Sequence, residues 1–255
     1  MADETCESIG AKHEALAFLQ DLERTLNSTL PGPADMESCV RRTVAAAKTD
    51  DKQKHLRLPE AAFLNKKVIP AVSEMIQSYS GLSKDQARLA LLNESHRSMP
   101  DFSCYSPIRW ERHPFKKEMV GVSATDIYKA WADHEKGHGL TQSCPDFSLR
   151  NPFPHSILFE GKYFPRRSGS LEYAQRQLVD LAYQAFFYLG LPRLAATKKH
   201  PKWGYDYSCL LAYDASEKGT LISAWTTLHP RMRRGFWDGA NVYVMILRGM
   251  AEAEV

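Results

Sequence analysis

The sequence predicts an α/β protein, with helices over roughly the first third of the chain and then an α/β core. Three observations predict it. Leucines recur at helical spacing near the start, at Leu16, Leu19, Leu22 and Leu26. Short apolar runs of strand length, bounded by turn residues, crowd the second half. A long amphipathic stretch over 170–189 separates two groups of these runs.

Taken in order, the first helix is expected from Lys12 to Asn27. Residues 32–56 are polar and end in the charged run Lys48 to His55, so they read as an exposed connector. A second helical stretch runs from Pro59 to Tyr79 with Pro70 inside it, which predicts a kink or two shorter helices. A third covers 83–95, opened by Ser83 and Gln86 in capping-box spacing and carrying Leu89, Leu91 and Leu92. Residues 101–122 hold strand-capable pieces, and Ser123 to Lys136 reads as a helix opened by Ser123 with Asp126 three residues on. Strands are expected at Asp146–Arg150 and Ser156–Phe164, joined by the turn Asn151-Pro152-Phe153-Pro154, with the helix from Ser170 to Leu189 after them. Three further strands, Tyr207–Tyr213, Thr220–Leu228 and Asn241–Leu247, close the chain, and Ser216 to Gly219 suggests a hairpin between the first two. The organisation is a helical N-terminal extension over 1–82, read as a recognition or dimerisation part, and an α/β core over 83–255.

Composition bounds the class. With 255 residues, 44% of them hydrophobic and 25% charged, the chain can bury a large core and is not a disordered protein. No uncharged apolar run approaches the ~20 residues of a membrane span. The acidic start Met1-Ala2-Asp3-Glu4-Thr5 lacks the pattern of a signal peptide. Five scattered cysteines without a Cys-x-x-Cys pair read as reduced thiols, so a cytoplasmic location and no membrane partner are expected. A net charge of +3 permits a nucleic-acid partner without arguing for one.

The chemistry lies in 145–162. On a strand, residues two apart share a face, so Glu160 and Lys162 project together while Phe159, Gly161 and Tyr163 face the other way. Asp146 opens the neighbouring strand and can reach the same spot. Two carboxylates and an ammonium at one point suit phosphodiester cleavage. The carboxylates would hold a hard cation such as Mg²⁺ through oxygen, and the lysine would position water or balance developing charge. The structural alternative is a Glu–Lys pair on a core-type strand beside an aspartate of purely architectural use.

Pro145-Asp146 followed by Glu160-Gly161-Lys162 resembles the PD-(D/E)xK nuclease superfamily of restriction and repair nucleases. The resemblance implies a restriction-endonuclease-like core ordered helix, three strands, helix, strand, with the motif on the second and third strands. It implies an Mg²⁺- or Mn²⁺-dependent deoxyribonuclease, endonuclease in preference to exonuclease, in which Asp146 and Glu160 hold metal and Lys162 completes the catalytic set. It further implies DNA as partner and allows a homodimer. Many members add an acidic ligand from the first core helix, for which Glu94 is the candidate. RecB-like members carry a Gln-x-x-x-Tyr element on the helix after the lysine strand. Gln177 is the better-placed glutamine, although Leu181 stands where the tyrosine belongs; Gln184 to Tyr188 fits the form further along. A nuclease-fold protein that binds nucleic acid without cutting it stays open.

Two other features bear on function. His134-Glu135-Lys136-Gly137-His138 resembles the H-E-x-x-H helix of zincin metalloproteases, or is a helix end whose histidines favour the terminal dipole. Arg166 and Arg167, directly after the catalytic strand, are candidates to grip a phosphate. Lys198-Lys199-His200 and Arg231-Met232-Arg233-Arg234, the latter near Trp237, are further basic clusters that suit nucleic acid or an ordinary charged surface.

Overall fold

The computed structural model describes residues 6–93, 146–166, 170–195 and 205–250. Helix α1 spans Cys6–Thr29 and buries Phe18, Leu19, Leu22 and Leu26, the stripe that its leucine spacing announces. Helix α2, Pro33–Thr49, and a 3₁₀ turn, Asp51–Leu56, follow it. This corrects the expectation of an exposed connector over 32–56. The helix is polar on its outer side, but Met36, Val40, Val44 and Ala47 recur every three to four residues and pack inward.

Helices α3, Pro59–Phe63, and α4, Ile69–Ser80, are joined by a π-helical turn at Leu64–Val68. Pro70 lies in the first turn of α4, where its missing N–H is tolerated, so the expected division of this stretch into two helices is what the chain forms. Helix α5, Lys84–Ala90, begins with the capping box: Gln86 N–H donates to Ser83 Oγ and Ser83 N–H to Gln86 Oε1. It ends earlier than the spacing predicts, because Leu91 and Leu92 belong to strand β1, Leu91–Asn93.

Strands β2, Phe147–Leu149, and β3, Ile157–Phe164, are joined by a turn with a cis Asn151–Pro152 bond. Helix α6, Leu171–Ala195, leads to β4, Tyr207–Asp214. After β4 the chain departs from expectation. Residues 220–228 are not a strand and form no hairpin; they build helix α7, Thr220–Thr227, which is followed by α8, Pro230–Ala240, and β5, Val242–Leu247. The cause is the fully buried Asp214 carboxylate. It accepts the N–H groups of Leu221 (2.9 Å), Ile222 (3.1 Å) and Ser216 (3.0 Å), satisfying donors that a helix start leaves open. Gly219, left-handed at φ +63, turns the chain into that helix.

The five strands form one mixed open sheet in the order β1-β2-β3-β4-β5. The β1/β2 and β2/β3 pairs are antiparallel, and β3/β4 and β4/β5 are parallel. Helices cover both faces. On one, the helices of the first ninety residues share a hydrophobic cluster with Phe147, Phe159, Cys209, Leu211 and Met245. On the other, Ala174, Leu178, Leu181 and Ala185 of α6 and Leu221 and Ala224 of α7 pack against Leu158, Phe164, Leu210 and Ala212. The start and end of the described chain are tied together. Arg248 N–H donates to Asn27 Oδ1 (3.1 Å), Met250 N–H to Leu30 O (3.2 Å), and Pro31 and Met250 form a parallel bridge. Among the described residues no helix is long and apolar enough to cross a membrane. The sequence-predicted pieces at 101–122 and 123–136 lie outside the described residues, and so do the basic residues 198–200.

Candidate functional site

The site is built where β3 loses a neighbour. Pairing with β2 extends only to Phe147 opposite Phe159. From Glu160 onward, among the described residues, β3 keeps β4 on one side alone. Strand alternation sets the two faces there. Leu158 and Phe164 pack into the α6 layer, and Glu160 and Lys162 fall between them in the same parity. Phe159 and Tyr163 pack into the N-terminal helical layer, as their spacing predicts.

Asp146 stands immediately before β2, opposite this opening. Its Oδ2 accepts the Gly161 N–H at 2.6 Å, fixing the carboxylate beside the residue that separates Glu160 from Lys162. Glu160 is buried, with 8% of its surface exposed. Lys162 Nζ forms an ion pair at 3.2 Å with Glu60 Oε2, each side chain about one-third exposed (36% and 33%). Burial pushes the Lys162 pKa down, but attraction to Glu60, Glu160 and Asp146 outweighs it and the net displacement is upward. Lys162 is therefore an ammonium at neutral pH. It can donate hydrogen bonds and oppose negative charge.

Glu60 is the residue that sequence reasoning missed. It opens α3 behind Pro59, in a position that reads as an ordinary acidic first turn. Packing delivers it to the site. Gly161 lies so close to the π turn that a Cβ there would stand 2.6 Å from both Leu64 methyl carbons. Only glycine lets α3 and its following turn approach β3 this far. Tyr163, next along, donates from its hydroxyl to Glu37 Oε2 on α2 at 2.7 Å, and Arg41 Nε holds the other oxygen at 2.9 Å. Two N-terminal helices are thus fastened to the strand that carries Glu160 and Lys162.

The other candidates are placed differently. Arg166 lies just past β3, but its Nε donates to Glu217 Oε1 at 3.0 Å, so its guanidinium is already engaged with the loop after β4. Gln177 is half-buried on α6, one residue before buried Leu178. Glu94, Arg167 and the whole of His134-Glu135-His138 lie outside the described residues. Among the described residues, no three His, Cys, Asp or Glu side chains stand close enough together to hold a metal ion. Magnesium asks for less than that, since it is commonly held by one or two carboxylates plus substrate phosphate and water. Asp146 and Glu160, both near enough to act on the Lys162 charge, fit that requirement as hard oxygen donors.

No protein-family model, no curated protein and no solved structure matches this chain.

Proposed function

We propose that the protein is a metal-dependent phosphodiesterase acting on DNA, a nuclease of the PD-(D/E)xK type. The observation that carries this reading is the Asp146 carboxylate held by the Gly161 N–H, between Glu160 and Lys162, with both carboxylates within electrostatic reach of the ammonium. The order of elements supports it. Among the described residues, helix α5, strands β1, β2 and β3, helix α6 and strand β4 come in the order helix, three strands, helix, strand. The motif falls at the second and third strands of that series.

In this reading Asp146 and Glu160 would hold Mg²⁺ or Mn²⁺, which supplies Lewis-acid polarisation of the phosphate and a more acidic water. Lys162 supplies a fixed positive charge and three N–H donors. Directed at a non-bridging phosphate oxygen or at the attacking water, it favours the charge that builds up in the transition state. Glu60 holds the ammonium in place before substrate arrives and keeps it protonated. Glu160 is buried, so its own charge acts in a medium of lower dielectric.

Cleavage of supercoiled plasmid and of single-stranded DNA, with Mg²⁺ or Mn²⁺, tests the reading. The parent should cut, Lys162→Ala should lose about a hundredfold or more of that activity, and Glu135→Ala should keep it. Cutting that persists in Lys162→Ala would sink the proposal. So would a protein that cuts nothing and carries stoichiometric zinc, which would move the chemistry to His134-Glu135-His138.

A further inference from the structure

The arginine-rich helix α8 belongs to no part of the site just described. Its first two turns carry Arg231, Arg233 and Arg234 and no acidic residue, and none of its residues is buried. Cations at a helix N-terminus oppose the macrodipole, whose positive end lies there. The fold therefore gathers three guanidinium groups where the backbone already presents positive charge. A second observation points the same way. Arg233 Nε is buried and has no hydrogen-bond partner among the described residues. A buried guanidinium N–H without an acceptor is costly, and native structures ordinarily supply one.

Two of these arginines line one cleft. It has a volume of about 380 Å³ and lies between the end of α7, helix α8 and the start of β5. Arg233 and Arg234 line it together with Trp225, Trp237 and Tyr243, and among the described residues no acidic side chain does so. The aromatic walls are held in place. Trp237 stacks on Tyr207 at 5.4 Å, meets Tyr243 edge-on at 6.2 Å and has Lys12 Nζ 5.7 Å from its ring centre. Trp225 packs edge-on against Phe236 at 5.4 Å. Lys12 is itself anchored, donating to the Asp238 carbonyl at 3.0 Å.

Planar guanidinium donors match phosphate, and fixed indole and phenol walls match a planar base. The cleft is of the size that takes a small ligand. We propose that the α8 cleft is a binding site for a nucleotide unit, with Arg233 and Arg234 on its phosphate and Trp225 against its base. This rests on the cleft alone and not on the nuclease reading. The unit is supplied either by a free mononucleotide or by a single strand of nucleic acid, which share this chemistry.

Binding is measured on the full chain in EDTA, so that no hydrolysis enters. Fluorescein-labelled dT12 is followed by anisotropy, and AMP and dTMP by calorimetry. At least one probe should bind, and Arg233→Gln and Trp225→Leu should each weaken it about tenfold or more while leaving the thermal melt unchanged. Binding of the mononucleotides identifies a free nucleotide as the source, and binding of dT12 alone identifies a strand. Arg234→Gln, at an exposed position, keeps the test valid if either of the others disturbs folding, and should also weaken binding. The proposal is overturned if no probe binds below about 1 mM, or if the folded variants bind as the parent does. Failure of plasmid cleavage would leave this result standing, and failure here would leave the β3 site standing.

Discussion

Gly161 lies between the two charged residues of β3 and has two roles there, of which the second is open to glycine alone. Its N–H holds Asp146, and its missing side chain lets Leu64 come within contact. Leu64 is buried, so its methyl groups have nowhere to retreat if a Cβ is added. Gly161→Ala should therefore cost about 1–3 kcal/mol of stability, read as a fall in the denaturation midpoint. DNA cleavage, measured where the variant is still folded, should fall further than the melt explains, because the added methyl pushes Glu60 away from Lys162. A variant that melts and cuts like the parent would mean that Leu64 relaxes freely. At this scale the strand residues are legible in the sequence. Glu160 and Lys162 share a face because strand geometry has a period of two, and Asp146 follows because only a short turn separates the strands. Glu60 is not legible. Nothing near Pro59 marks it as different from any helix-opening acid, and only the close approach of α3 to β3 brings it to the ammonium.

Elements were legible where their own periodicity decides them and illegible where a distant group does. Helix α1, the α5 capping box, β3, α6 and β4 follow from apolar spacing and local turn chemistry. Helix α7 does not. Thr220, Ile222, Trp225, Thr226 and Thr227 are residues of good strand propensity, and a strand is what they predict. They are overridden by the side chain of Asp214, which collects the first free N–H groups of the helix, together with the Ser216 hydroxyl, from the end of β4. Asp214→Ala should leave these donors unsatisfied in a buried site and cost about 3 kcal/mol or more. Urea unfolding followed by circular dichroism measures it, and an unchanged midpoint would show that another acceptor takes over. Asp214→Asn keeps an oxygen acceptor and should lose less. Helix α2 shows the converse error, since its charged outer side hid a regular inward row of Met36, Val40, Val44 and Ala47.

For the whole molecule, the first ninety residues and the sheet bury one another. Phe18, Leu22, Leu26, Met36 and Phe63 lie in one cluster with Phe159, Cys209, Leu211 and Met245. A chain cut to residues 83–255 would expose that side of the sheet to water and would lack Glu60. It should be insoluble or should lack a cooperative thermal transition by near-ultraviolet circular dichroism. A sharp cooperative melt of the 83–255 fragment would instead establish residues 1–82 as an appendage to a self-sufficient core. An α/β core behind a helical start is legible from the order of strand-like and helical runs. The burial of the N-terminal helices against it is not, because long-range packing leaves no local mark on either partner. That packing also sets an order of events during synthesis. The residues that follow α1 are tied to those that follow β5 through Asn27, Leu30 and Pro31 on one side and Arg248 and Met250 on the other. Helix α1 is thus translated long before the strand end that ties it down, and although α2 to α4 can cover part of its Phe18–Leu26 stripe early, its seat on the sheet is completed only when nearly the whole chain has left the ribosome.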